Sequence, residues 1–182
     1  MARPLFGGAL SAVVPPNATD VSELREIPDN QEVFVHAHTD QSVIIELVEY
    51  QAQVDDAQAA RYHFEDLAGS NKASAEGRWE VQGVEPVPLS QLRLQECSSA
   101  WLLTGTQLIS KFNEEAKNTV NIHLCVLRLP QYTTDILITL NHPVTISPLS
   151  SSATVSAVAG WTLQDFHTLL QSLQLLDPGV FG

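Results

Sequence analysis

The chain has 182 residues, of which 44% are hydrophobic and 16% charged, a composition typical of a globular protein rather than a disordered one. Its formal net charge of −12 comes from 21 acidic and 9 basic residues, and a field of that sign repels nucleic-acid phosphates and anionic lipid. No apolar run approaches the ~20 residues that cross a bilayer. We therefore expect one domain, 1–182, that is not a membrane protein and binds no nucleic acid.

The first ten residues contain one arginine and only a short apolar stretch, which is not the pattern of a secretory signal. The two cysteines, Cys97 and Cys125, both lie in apolar stretches. We expect two reduced thiols in the core, with a disulfide as the less favoured alternative.

The first elements follow from local patterns. Residues 9–14 are apolar and stop at Pro15 and Pro16, which predicts a strand. A polar stretch follows, in which Asp20 can cap a helical turn over residues 21–25. Apolar and polar residues alternate over 32–38, which predicts a second strand.

The patterns of the next two segments predict a helix followed by a strand. Asp40 can cap a helix over residues 41–53, with a buried stripe formed by Val43, Ile44, Leu47 and Val48. On such a helix Glu46 and Glu49 share the opposite, solvated face, together with Ser42 and Gln53. Residues 55–67 could begin as a helix, but 61–64 alternate, so we predict a strand over 60–67.

The remaining chain predicts more strands and a closing helix. We expect a polar loop over 69–77, and strands over 79–87, 100–109, 122–129 and 135–141, the last two forming a hairpin. Residues 142–160 are rich in Pro, Ser and Ala and predict a mobile loop. Thr162 then caps an amphipathic helix that buries Phe166, Leu169, Leu170 and Leu173 and ends at residues 177–179. Several strands with few long helices favour an α+β fold with a mainly antiparallel sheet.

The sequence offers little catalytic chemistry. Phosphate-binding, dinucleotide-binding and nucleophile-elbow motifs are absent from the sequence, as is His-Glu-x-x-His. His36 and His38 share a strand face, but the ligand set is incomplete, so we expect no metal. Placed on strands, His63 with Glu65, or His123 with Cys125, could form a reactive pair. Ordinary core or surface roles are favoured for both pairs, and we expect no cofactor.

A set of motifs in fixed order carries a resemblance to a known family. They occupy residues 4–9 (PLFGGA), 20–25 (DVSELR), 27–34 (IPDNQEVF), 40–47 (DQSVIIEL), 62–66 (YHFED), 127–132 (LRLPQY) and 177–182 (DPGVFG). Each is weak alone, but together they resemble the Ran guanine nucleotide release factors, also described as Ran-binding nuclear import factors. The resemblance extends over nearly the whole chain and is weakest at residues 69–77 and 141–160.

The resemblance implies both fold and function. It implies a three-layer α/β/α sandwich around a mainly antiparallel sheet of about six strands, similar to an oxygen-evolving photosystem subunit. It implies a protein of nucleus and cytoplasm that binds the small GTPase Ran and promotes release of its guanine nucleotide, supporting nuclear import without covalent chemistry. Vertebrate members are also associated with surface delivery of a voltage-gated sodium channel. An adaptor that leaves nucleotide untouched, and an enzyme with an unrecognised site, are the alternatives.

The resemblance also implies a site. A loop implicated in nucleotide release corresponds here to eight residues: Glu23, Leu24, Arg25, Glu26, Asp29, Asn30, Gln31 and Glu32. Some family members carry proline in place of Glu26. The acidic face of the predicted helix, with Glu46 and Glu49, is implicated in Ran binding. Composition alone would make the loop an ordinary surface turn and the two glutamates a solvated face.

Overall fold

The computed structural model describes residues 2–70, 79–109, 118–145 and 160–181. The bounds of its strands and helices are β1 Ala2–Leu5, β2 Leu10–Val13, β3 Ala18–Asp20, β4 Gln31–His36, β5 Ser42–Glu49, α1 Asp56–Ser70, β6 Trp79–Pro86, β7 Ser99–Ile109, β8 Asn118–Leu129, β9 Thr134–Thr145, α2 Leu163–Ser172 and β10 Gln174–Leu175. No described helix is long and apolar enough to cross a membrane.

In the part of the chain that the structure describes, ten strands form two sheets. The larger has seven strands in the order β3-β4-β5-β9-β8-β7-β6, and the smaller has three in the order β1-β2-β10. Every pairing is antiparallel. The mainly antiparallel α+β prediction is confirmed, although the main sheet has seven strands rather than about six.

Alternation along β8 separates two apolar cores. Cys125, Leu127 and Leu129 lie in the core that contains α2 and the small sheet. Leu124 and Val126 lie in the core that contains α1. Because successive residues of a strand point to opposite faces, the large sheet is the middle of three layers. The three-layer prediction is therefore confirmed.

The predicted helix over residues 41–53 is wrong, because β5 occupies this segment. Val43 and Ile45 are buried in the core on one face of the strand, and β5 pairs with β4 on one side and β9 on the other. Such a run of β-branched residues fits a central strand, and a short apolar run fits either type from periodicity alone. Gln41, the first residue of the predicted helix, is buried.

The predicted strand over 60–67 is also wrong, because α1 covers it. Ala59, Ala60, His63 and Phe64 are buried at helical spacing. The strand was predicted from the alternation at 61–64 alone, without weight for the alanines at 57, 59 and 60, which are strong helix formers. Gly105 on β7 makes room for the helix, since a Cβ there would lie 2.8 Å from the Phe64 ring.

The other predicted elements are present with shifted ends. The strand at 9–14 is β2, the turn at 21–25 is a 3-10 turn, and the hairpin is β8 with β9. Thr162 and Asp165 form a capping box at the start of α2. This helix ends at Ser172 rather than at 177–179, because the chain then adds β10 to the small sheet.

The two predicted loops differ from the structure at their ends. Residues 142–145 of the proposed mobile loop belong to β9, and 146–159 lie outside the described residues. Residues 69–70 end α1 rather than open a polar loop, and 71–77 lie outside the described residues.

A buried ionic network joins the helix α1 to the sheet. The side chains of Arg128 and Asp135 are 0% exposed. The Arg128 Nε donates to Asp135 Oδ1 at 3.1 Å, and its Nη1 donates to Asp56 Oδ1 at 3.0 Å. The other oxygen of Asp135, Oδ2, lies 3.0 Å from His63 Nε2. The network therefore connects the start and middle of α1 to the β8–β9 hairpin.

We predict that Arg128→Met destabilises the protein severely. The substitution leaves Asp135 buried without its cationic partner, which typically costs about 3–5 kcal/mol in free energy of unfolding. Arg61→Met is the matched control, because Arg61 pairs with Glu65 at 3.6 Å on an exposed surface, where a pair is worth at most about 1 kcal/mol. Urea unfolding of both variants measures the difference, and equal losses would contradict a special role for Arg128.

Candidate functional site

The predicted release loop begins with an ordered turn. The Asp20 side chain accepts a hydrogen bond from Ser22 N at 2.9 Å and caps the 3-10 turn Val21–Glu23. Leu24 and Arg25 follow, and their backbone N–H groups both donate to Val21 O. Leu24 is 72% exposed, a large apolar side chain left open to solvent. Nothing is described of the Glu23 side chain, whereas Arg25 and Glu26 are exposed.

The end of the loop is tied to β5. Asn30 Nδ2 donates to Leu47 O at 3.0 Å, and Leu47 N donates back to Asn30 O at 2.9 Å. Gln31 Nε2 donates to Glu46 Oε2 at 2.5 Å. Asp29 and Asn30 nevertheless remain exposed. The loop is therefore held by its amide groups, while the Asp29 carboxylate is presented to solvent.

Glu46 and Glu49 do not share a face, contrary to the helix expectation. They are three residues apart on a strand, so their side chains point to opposite faces of the sheet. Glu46 lies opposite Gln31 of β4. Glu49 has the same parity as Ile45, which packs in the α2-side core, and it is exposed. The single acidic patch predicted from helical spacing is thus absent from this strand.

Glu32 is engaged inside the molecule. Its side chain is half-buried, and Oε1 accepts a hydrogen bond of 2.7 Å from Phe6 N, which belongs to the turn between β1 and β2. This contact joins two of the motifs that carry the family resemblance. It was not predictable from the sequence, because the two residues are 26 positions apart.

The turn between β1 and β2 has unusual backbone geometry. Phe6, Gly7 and Gly8 have φ of 52°, 70° and 94°. Glycine adopts such left-handed values without steric cost, which explains the two glycines, whereas Phe6 is strained there. The turn persists because its surroundings fix it.

A cleft of about 500 Å³ opens beside this turn and the loop. The residues that line it are Phe6, Asp29, Asn30, Leu47, Val48, Glu49, Thr133, Thr134, Val180 and Phe181. The Phe181 ring packs on Tyr132, with ring centroids 5.0 Å apart. The cleft therefore gathers the N-terminal turn, the loop, the end of β5, the β8–β9 turn and the C-terminal segment.

The charge of the cleft suits a cationic partner. Asp29 and Glu49 are exposed carboxylates at its surface, and the described lining residues include no basic side chain. Phe6 and Phe181 supply apolar walls. Of the predicted residues, the cleft brings together Asp29, Asn30 and Glu49. Sequence reasoning missed Phe6, Thr133 and Phe181, although Phe6 and Phe181 lie inside the motifs and could have been considered there.

A second groove of about 480 Å³ lies on the other face of β4 and β5, where Arg25 is the only predicted site residue. Val33 and Ile44 are among its apolar lining residues. Arg25 therefore lies on a different surface from Asp29, so the loop spans the boundary between two faces of the sheet.

The reactive pairs considered from sequence have structural roles. His63 is buried on α1 and bonded to Asp135, and Glu65 is exposed. Burial raises the pKa of the Cys97 thiol to about 11 and raises that of Cys125 as well, so both thiols stay protonated at neutral pH. Within the described ranges, no group of three His, Cys, Asp or Glu residues could hold a metal ion.

The chain matches a family model and full-length relatives. The model described as Ran-interacting Mog1 protein matches residues 3–143. The Ran guanine nucleotide release factor of Danio rerio is 70% identical over 183 residues, covering 100% of both chains. The human protein of that name is 49% identical, over 98% of this chain and 95% of its own.

A solved structure supports the fold. The crystal structure of the Saccharomyces cerevisiae Ran-binding protein Mog1p is similar with a TM-score of 0.74 at 24% identity, covering 100% of this chain and 98% of its own. The matched residues 3–143 contain every described strand and helix from β2 to β8 and most of β1 and β9. By its sequence over nearly its whole length, the chain belongs to the Ran-interacting Mog1 protein family.

Proposed function

We propose that the protein binds the small GTPase Ran and promotes release of its guanine nucleotide, in support of nuclear protein import. The observation that carries the proposal is the end-to-end identity of 70% to a protein named Ran guanine nucleotide release factor. The more distant Saccharomyces cerevisiae relative, 29% identical, is named a nuclear import protein. Because nuclear import connects the two compartments, we propose that the protein acts in both nucleus and cytoplasm.

Release can be driven by binding alone. A protein can bind nucleotide-free Ran more tightly than nucleotide-loaded Ran. By reciprocity, it then weakens the binding of nucleotide to Ran by the ratio of those two affinities. A tenfold weakening needs about 1.4 kcal/mol of differential binding. No cofactor and no covalent step is needed, so the proposed activity is that of a binding protein rather than a catalyst of bond chemistry.

Exposed carboxylates supply the proposed chemistry. Small GTPases hold phosphate with a P-loop lysine and a magnesium ion. Asp29 is exposed beside the cleft, and its carboxylate makes no hydrogen bond to the described residues of the loop, so it can reach such a cation. Glu49 lies in the same cleft. A carboxylate that pairs with the lysine would compete with phosphate for it.

The rest of the predicted site takes a supporting place in this proposal. Leu24, Arg25 and Glu26 are exposed and extend the surface beyond the cleft, and Leu24 offers an apolar contact. Glu23 precedes them as the last residue of the 3-10 turn. Asn30 and Gln31 fix the loop on β5. Glu46 points to the other face of the strand and belongs to the interface only if the GTPase reaches around the end of β5.

The first prediction concerns nucleotide release by the unaltered protein. Stoichiometric protein should speed the loss of labelled GTP from Ran and leave a complex that contains little nucleotide, because the two ligands oppose each other. A filter assay measures the loss, and gel filtration recovers the complex. If the proteins bind while GTP leaves at its intrinsic rate, the protein is an adaptor that does not act on nucleotide.

A second prediction separates the loop from the scaffold. Asp29→Ala should slow release of GTP while changing the free energy of unfolding by no more than about 0.5 kcal/mol, as is usual for exposed positions. Asp66→Ala is the matched control, because Asp66 is an exposed aspartate on α1, on the opposite side of the sheet. It should leave release unchanged. An unaffected release rate in Asp29→Ala would remove this carboxylate from the mechanism.

A third prediction uses the two faces of β5. Glu49→Lys should slow association with Ran and flatten the decline of the association rate with salt, because interface charges act mainly on encounter and are screened over ~8 Å at physiological salt. Glu46→Lys makes the same charge change on the other face and should retain most of the association rate. Surface-binding kinetics at low and high salt compare them.

Thermal unfolding of both reversals is the control for that comparison, because Glu46→Lys also removes the hydrogen bond from Gln31. If Glu46→Lys and Glu49→Lys both fold and slow association equally, the GTPase contacts both faces of the strand.

A further inference from the structure

The Glu32 carboxylate has an internal partner, which sets it apart from the exposed acids of the loop. It lies on β4 opposite Ile45, half-buried, and accepts the Phe6 N–H at 2.7 Å. A hydrogen bond from a backbone N–H to an ionised carboxylate is stronger than one between neutral groups. Glu32 is therefore suited to hold the N-terminal turn.

The turn that it holds needs an external constraint. Phe6 has a φ of 52°, a left-handed value that a residue with a side chain rarely adopts. A strained conformation persists only where surrounding contacts fix it. The Phe6 N–H is bonded to Glu32, and the Phe6 side chain packs against the core. Loss of the Glu32 acceptor would remove one of these two constraints.

The position of the turn shapes the cleft. Phe6 lines the cleft together with Phe181, while Asp29 and Glu49 supply its carboxylates. A lysine or arginine side chain has an aliphatic stem that packs on apolar surface and a cationic head that stays near acids. The chain's net charge of −12 and the absence of a basic side chain among the described lining residues favour that occupant over an acidic one.

We propose that Glu32 is a positioning residue: it holds the Phe6–Gly8 turn so that Phe6 walls the cleft, and the cleft takes a basic side chain of the GTPase. The stem of that side chain packs on Phe6 and Phe181, and its cation meets Asp29 and Glu49. Glu32 acts through the turn and not through its charge on the partner. This inference rests on the proposed binding of Ran.

The two roles of a carboxylate are separable by substitution. Glu32→Gln removes the charge and keeps an oxygen that can accept from Phe6 N, whereas Glu32→Ala removes both. A residue that acts by charge is equally damaged by either change. A positioning residue is rescued by glutamine. Asp29→Asn and Glu49→Gln provide the contrast, since at these positions the charge itself is proposed to act.

The experiment measures dissociation and association of Ran by surface-binding kinetics, GTP release, and thermal unfolding for each full-length variant. We expect Glu32→Ala to weaken binding roughly tenfold, mainly through faster dissociation, and Glu32→Gln to stay within about threefold of the unaltered protein. The double variant Asp29→Asn with Glu49→Gln should associate more slowly and lose most of its salt dependence.

The outcomes distinguish the levels of the proposal. A Glu32→Gln variant that folds but binds as poorly as Glu32→Ala would show that Glu32 acts by charge and overturn the positioning role. If Glu32→Ala fails to fold, the glutamine variant still decides. If Phe6→Leu weakens binding while the Asp29 and Glu49 double variant does not, the cleft takes an apolar side chain rather than a basic one. Failure of the unaltered protein to bind Ran would instead remove the proposed function itself.

Discussion

The structure depends on how one buried guanidinium is satisfied. The Arg128 side chain is fully buried. It donates hydrogen bonds of 2.7 to 3.1 Å to Asp135, to Asp56 and to the carbonyl oxygens of Gln51 and Val54. Its charge also lies 4.2 Å from the centre of the Tyr50 ring. A charge removed from water is tolerable only when it is paired and hydrogen-bonded in this way. The requirement fixes the chain between β5 and α1 against the β8–β9 hairpin, in the middle of the large sheet.

The segment that packs on Arg128 also forms part of the cleft. Tyr50, whose ring covers the Arg128 guanidinium, follows Glu49 directly and donates its backbone N–H to Thr133 O at 3.0 Å. Thr133 lines the cleft and adopts a left-handed φ of 53°. The floor of the cleft is therefore built on rigid elements, while its rim is formed by exposed side chains. This arrangement suits a protein that acts by binding, because a pre-formed surface loses little freedom when the partner docks.

How far the sequence predicts this structure depends on whether a signal is local. The Thr162 cap of α2 and the β8–β9 hairpin are local signals, and both were predicted correctly. Residues 43–48 fit either a helix or a strand, and only pairing with β4 and β9 decides for the strand. For the site, the resemblance supplied Asp29 and Glu49, but the bond from Phe6 to Glu32 joins segments 26 residues apart, which periodicity cannot detect.

The change from helix to strand alters what the acidic residues can do. On a helix, a spacing of three places two carboxylates side by side and makes a flat anionic patch. On β5 the same spacing sends Glu46 to one face, bonded to Gln31, and Glu49 to the other, beside Asp29. The anionic surface is therefore assembled at the end of the sheet from segments distant in sequence. Since Glu32 supports that surface from within, its substitution changes both the stability of the turn and the binding of the partner. Asp29 and Glu49 are exposed, so their substitution changes binding of the partner without a comparable change in stability.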